Sequence, residues 1–142
     1  VPLSGGDSHA RQAQVLKRPL GDLATAILTL RDGLGANWAR TTVLAMTEFG
    51  RTARENGSGG TGHGTGGALL MAGGAVRGGR VHGDWPGLGE GRLYQDRDLL
   101  PTRDVRAYAG WAMRGLFGTK AGLIERTIFP GLDLGPDPRI LA

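Results

Sequence analysis

At 142 residues the chain is long enough for one domain with a real core, and its 39% hydrophobic and 21% charged residues are unremarkable beside its 27 glycines. No apolar run approaches the ~20 residues of a membrane-spanning helix, and the lack of cysteine excludes disulfides and thiolate metal sites. The net charge of +4 comes from fifteen arginines and two lysines, Lys17 and Lys120. These are scattered and not interleaved with aromatics, which argues against a specific nucleic-acid platform and leaves small anions open as ligands for guanidinium forks.

The chain opens at Val1 without Met, signal peptide or twin-arginine leader, so a mature form, a trimmed form and a piece of something longer are all open. Residues 1–14 read as a strand end and a polar turn containing Gly5, Gly6, Asp7, Ser8 and His9. Residues 19–34 carry Leu20, Leu23, Ile27, Leu30 and Leu34 at spacings of three and four, which predicts an amphipathic helix with one buried stripe. Pro19 suits its first position, and Gly33 and Gly35 its end. Residues 41–46, Thr-Thr-Val-Leu-Ala-Met, are β-branched, apolar and short, and predict an interior strand whose sheet the helix covers on one face.

Polar residues then enter abruptly among glycines: Glu48, Arg51, Arg54, Glu55, Asn56 and His63 within 47–67. Ligands of open α/β sheets bind beyond the carboxyl ends of strands, so this stretch reads as a site, against the plainer reading of a solvated glycine loop. Residues 68–72 are a second short apolar run, and 81–87 predict a short strand and turn. Fifteen of the 27 glycines fall between Gly57 and Gly91, which makes this third of the chain mostly irregular backbone. Farther on, Thr102 is the expected N-cap of a helix with Val105, Tyr108, Ala112 and Leu116 on its stripe. A shorter helix is expected over 120–128, stopping before Pro130, and the tail around Gly135 to Pro138 is expected to be loosely held.

The glycines at 57–67 match a dinucleotide fingerprint only as any glycine-rich segment does, and about ten residues separate them from the strand end; no P-loop lysine motif exists. The three histidines, His9, His63 and His82, lie beside small polar residues rather than on apolar stripes. Asp7 and His9, two apart, could ligate one cation from a turn, since carboxylate with imidazole suits zinc, manganese or iron. Hydroxyls at Ser4, Ser8, Ser58, Thr61 and Thr65 have no nucleophile-elbow context.

Gly6-Asp-Ser-His9, Thr47-Glu-Phe-Gly-Arg-Thr52, Glu55-Asn-Gly57, Gly60-Thr-Gly-His-Gly64 and Gly78-Gly-Arg-Val-His-Gly-Asp-Trp-Pro-Gly-Leu88 occur in one order. Together they resemble the C-terminal part of a bacterial family, domain of unknown function 1501, allied to the alkaline phosphatase and sulfatase superfamily. The resemblance implies an α/β fold with a sheet sandwiched by helices, of which this chain is a single domain or the C-terminal segment. It implies metal ligands at Asp7, His9 and His63, support of the metal or anion contact at Glu48, Arg51, Arg54 and Asn56, and a weakly held zinc or manganese ion. Gly62 stands where the family has a metal-binding aspartate, so Gly62→Asp is expected to tighten metal binding unless the glycine is needed for a left-handed backbone. The implied activity is metal-dependent hydrolysis of a phosphate or sulfate ester, with the catalytic nucleophile outside these residues and the full-length protein exported. The alternative is a non-enzymatic member that binds an anion or a protein partner through its glycine loop and arginines.

Overall fold

The structure, a computed structural model, describes residues 2–142. Its elements in chain order are α1 (Gln12–Val15), α2 (Lys17–Leu34), a 3₁₀ segment (Gly35–Arg40), β1 (Val43–Ala45), β2 (Gly50–Arg51), β3 (His63–Gly64), β4 (Leu70–Ala72), α3 (Val105–Phe117) and α4 (Ala121–Leu123), which runs on as a π-helical turn (Ile124–Ile128). The chain forms two compact units. The first comprises Val1–Gly35, Met46–Ala68 and Trp85–Pro101; the second comprises Ala36–Ala45, Leu69–Asp84 and Thr102–Ala142.

Helices and strands are mixed, as expected, but no layered sheet forms among the described residues. The strands make two separate antiparallel ladders of two strands each, β1 with β4 and β2 with β3. The run 41–46 therefore yields a three-residue strand with one neighbour rather than an interior strand: Val43, Leu44 and Ala45 face Ala72, Met71 and Leu70. Residues 81–87 form no strand. Pro86 and three glycines within 78–83 offer few ladder donors or packed side chains there.

In the first unit, α2 begins two residues before Pro19. Proline has no N–H for the Val15 carbonyl, so helical backbone from Gln12 is interrupted at Leu16 rather than begun at Pro19. The predicted apolar stripe is present, yet no residue of α2 is buried, and Leu20 and Leu30 are exposed.

The second unit holds the apolar core: Ala107, Ile124, Leu132 and Leu134 are buried, with Trp111, Met113, Ile128 and Phe129 packed against them. Asp104, not Thr102, caps α3, accepting a hydrogen bond from the Arg106 N–H; Gly118, at φ 66°, ends it. The predicted helix over 120–128 is present, widened into a π turn where the Phe129 N–H donates to the Ile124 carbonyl at 2.7 Å. The tail is tied down, contrary to expectation. Arg103 donates to the carbonyls of Leu134 at 2.7 Å and Pro136 at 2.8 Å, and Ile140 is buried.

Candidate metal centre

The β2–β3 ladder of the first unit sets the candidate site. Arg51 and His63 are direct cross-strand partners, so both side chains leave the same face of the ladder. Phe49, one residue before β2, stacks on the His63 ring at 3.8 Å and 14°, and the Arg51 guanidinium lies 5.2 Å from the Phe49 centroid. The imidazole is thereby held in orientation by an aromatic face.

Asp7 meets this face from the N-terminal segment. Its Oδ1 lies 2.9 Å from His63 Nε2, 3.0 Å from His9 Nε2 and 3.1 Å from Arg51 Nη2. The two imidazoles are 4.7 Å apart, tilted by 36°. The hydrogen bond with His63 holds the Asp7 carboxyl below its ordinary value; desolvation opposes it, and the electrostatic attraction of His63, His9 and Arg51 adds to the lowering. Each of these side chains except Arg51 is about half exposed.

The glycine-rich loop grips the same N-terminal segment by its backbone. Asn56 folds the loop by accepting from the Ser58 and Gly60 N–H groups, at 2.9 and 3.1 Å, and donates from Nδ2 to the His9 carbonyl at 2.9 Å. The Arg11 and Gln12 N–H groups donate to the carbonyls of Ser58 and Gly59, at 2.9 and 2.7 Å, and Thr61 Oγ1 donates to Gln12 Oε1 at 3.0 Å. Gly60 is the point of closest approach: a Cβ there would run into the His9 carbonyl and lie 2.8 Å from the Ala10 nitrogen. Gly60 is required for chain packing.

Asp7, His9 and His63 each offer one ligand atom, all within 4.8 Å of one another. One carboxylate and two imidazoles suit a borderline divalent ion. Around tetrahedral zinc, ligand atoms ~2.0–2.2 Å from the metal sit ~3.3 Å apart. The Asp7–imidazole separations of 2.9 and 3.0 Å need to widen only by a few tenths of an ångström. Both Nε2 atoms are directed at Asp7 Oδ1, the oxygen a cation would share with them. The donor set fits.

The other predicted residues divide. Arg51 belongs to the cluster and Asn56 acts on it through the His9 main chain. Glu48 and Arg54 are exposed and make no side-chain hydrogen bond or ion pair among the described residues, and His82 is not one of the clustered ligands. Gly62 does not have a left-handed backbone, and an added Cβ meets only the Thr52 side chain, its methyl at 3.5 Å and its hydroxyl oxygen at 3.9 Å. Thr52 follows Arg51 in the ladder, so that Cβ lies on the face opposite His63. An aspartate there is tolerated but does not start toward the cluster, which removes the reason to expect tighter metal binding from Gly62→Asp.

Sequence reasoning missed Phe49, whose aromatic ring two residues before Arg51 was the available signal. It also missed Asp98, only 2% exposed, which pairs with its neighbour Arg97 at 2.7 and 3.2 Å and backs β3 behind Gly64. Of the candidate hydroxyls, Thr61 and Thr65 donate to chain oxygens, and Ser8 is buried without a hydrogen-bond partner. None makes a hydrogen bond to a histidine or a carboxylate among the described residues.

Neither the curated proteins nor the solved structures contain a match to this chain. A family model does match it, over residues 1–124. By that match the chain belongs to the family described as "Protein of unknown function (DUF1501)".

Proposed function

We propose that Asp7, His9 and His63 hold a divalent cation, zinc or manganese, and that in longer proteins of this family the site serves hydrolysis of a phosphate or sulfate ester. The observation that carries the reading is the convergence of two imidazoles and a guanidinium on one carboxylate oxygen from three places in the chain. As a device for stability this arrangement is poor. Ion pairs on exposed side chains contribute roughly 0–1 kcal/mol each, and both imidazoles crowd the one carboxylate oxygen that already accepts from Arg51. As a cation site it is economical, because the ligands stand nearly in place.

A bound ion would supply Lewis-acid polarisation of an ester oxygen. The chain's own residues do the positioning: Phe49 orients His63, Asn56 fixes His9, and Arg51 fixes Asp7. The alkaline-phosphatase/sulfatase likeness of the sequence blocks supports the ester class, an α/β framework and export of the full-length protein. With only three protein ligands, about half exposed, affinity is expected to be weak. A non-enzymatic role through the glycine loop and arginines has less support, because Gly60 and most Arg51 donors are spent on the chain itself.

Calorimetric titration of zinc and manganese into the wild type and into Asp7→Asn and His9→Ala tests the reading. One ion per chain, lost in both variants, is the expected result; binding that survives both substitutions refutes the site. The 142-residue chain alone is expected to turn over neither aryl phosphate nor aryl sulfate, with or without metal, since no base-assisted nucleophile accompanies the ligands.

A further inference from the structure

We infer that Arg51 is the positioning residue of the Asp7–His9–His63 site and does not contact an anionic ligand; the inference rests on the metal reading above. The Arg51 side chain is only 18% exposed, and its guanidinium is committed to four oxygens of its own chain. Nη1 donates to the carbonyls of Ser8 at 2.9 Å and Thr61 at 3.1 Å; Nη2 donates to the Gly6 carbonyl at 3.4 Å and to Asp7 Oδ1 at 3.1 Å. All four hydrogens of the two terminal nitrogens are thus directed inward, leaving only Nε–H uncommitted among the described residues. An incoming oxyanion finds no free fork.

These contacts span the pieces of the site. Gly6, Asp7 and Ser8 carry one ligand and adjoin His9, while Thr61 lies two residues before His63. The planar fork fixes the distance between the two segments, which a flexible ammonium with three donors cannot do for four acceptors. Arg51 also shares its ladder position with His63 and its aromatic neighbour, Phe49. With a cation held by Asp7 and the two imidazoles, the Arg51 hydrogen bond to Asp7 Oδ1 would remain. It becomes the outer partner that holds the ligating carboxylate in register.

Cobalt(II) is the probe, titrated into the 142-residue chain at a temperature where circular dichroism shows each variant folded, with visible absorption reporting the ligand geometry. The wild type is expected to bind one cobalt. Arg51→Met is expected to bind ~10–100-fold more weakly, the usual loss for an outer partner, with a weaker, shifted band as Asp7 leaves the ion. Arg51→Lys should fall between the two. A folded Arg51→Met with wild-type affinity and band overturns the positioning role while leaving the metal reading intact. Failure of the wild type to bind cobalt overturns the metal reading itself. If Arg51→Met does not fold, Arg51→Lys decides, and affinity and absorption indistinguishable from wild type overturn the inference.

Discussion

Gly60 and Gly62 lie two residues apart in one loop and respond oppositely to a side chain. At Gly60 an alanine methyl meets the His9 carbonyl and the Ala10 nitrogen, both backbone, so the loop must move and His9 with it. Overpacking of this kind costs ~1–3 kcal/mol, so Gly60→Ala is expected to lower the melting temperature and to weaken zinc binding together. At Gly62 the space is open and the backbone ordinary, and Gly62→Asp should leave the melting temperature nearly unchanged and zinc affinity no tighter. Thermal melts and titrations of both variants check the pair. The Asp7–His9 pair was legible in the sequence because histidine is scarce and Asp7-x-His9 is compact, whereas His63 joined it only through the resemblance of its block. Support of the metal or anion contact by Arg51 was expected from the resemblance alone; its contacts were not legible, since three of its four partners are main-chain carbonyls up to 45 residues away, and carbonyls carry no residue type.

Element by element, α3 shows how local rules and tertiary contacts compete. Asp104 caps the helix and also holds the Arg106 guanidinium at 2.6 Å. Asp104→Ala is expected to destabilise the second unit by about 1 kcal/mol. The Arg106 hydrogen bonds and charge, outweighing partial burial, hold the Asp104 carboxyl below its ordinary value. Because the folded value lies below the unfolded one, the carboxylate stabilises the fold at pH above ~4. That contribution is lost as pH falls through the depressed folded value. An acid titration of stability should therefore lose this step in Asp104→Ala. Gly110 gives the opposite lesson. Alanine in a helix interior ordinarily gains up to ~1 kcal/mol over glycine, but here a Cβ would lie 2.6 Å from Leu134 Cδ2 and 3.0 Å from Ile124 Cγ2. The collision wins, and Gly110→Ala should lower the melting temperature. Helix positions were readable from the three-four spacing. The strands were harder: β2 and β3 are two residues each, and glycine on both gives no alternation to read.

For the whole molecule, the two units are held by different means. The buried apolar residues, from Ala107 to Ile140, all belong to the second unit; in the first, the buried side chains are those of Ser8 and Asp98. The first unit therefore rests on backbone hydrogen bonds and close glycine contacts, which contribute little net free energy apiece. Ile124→Ala should cost ~2–5 kcal/mol in the second unit. Amide exchange should be faster in the first unit than in the second. A ligand that binds only the folded form adds stability by mass action, so zinc should slow exchange at residues 7–12 and 51–63 and leave α3 unchanged. Such an imbalance was not readable from composition, since 39% hydrophobic residues averages over both units. The central claim, that Asp7, His9 and His63 hold a cation, is tested most directly by long-range ¹H–¹⁵N NMR of the imidazoles with and without zinc. The chain has only three histidines, so each ring is resolved. The account predicts that the Nε2 signals of His9 and His63 lose their proton-bearing character and move to metal-bound positions while His82 stays put. No change at His9 and His63, or an equal change at all three rings, would contradict it.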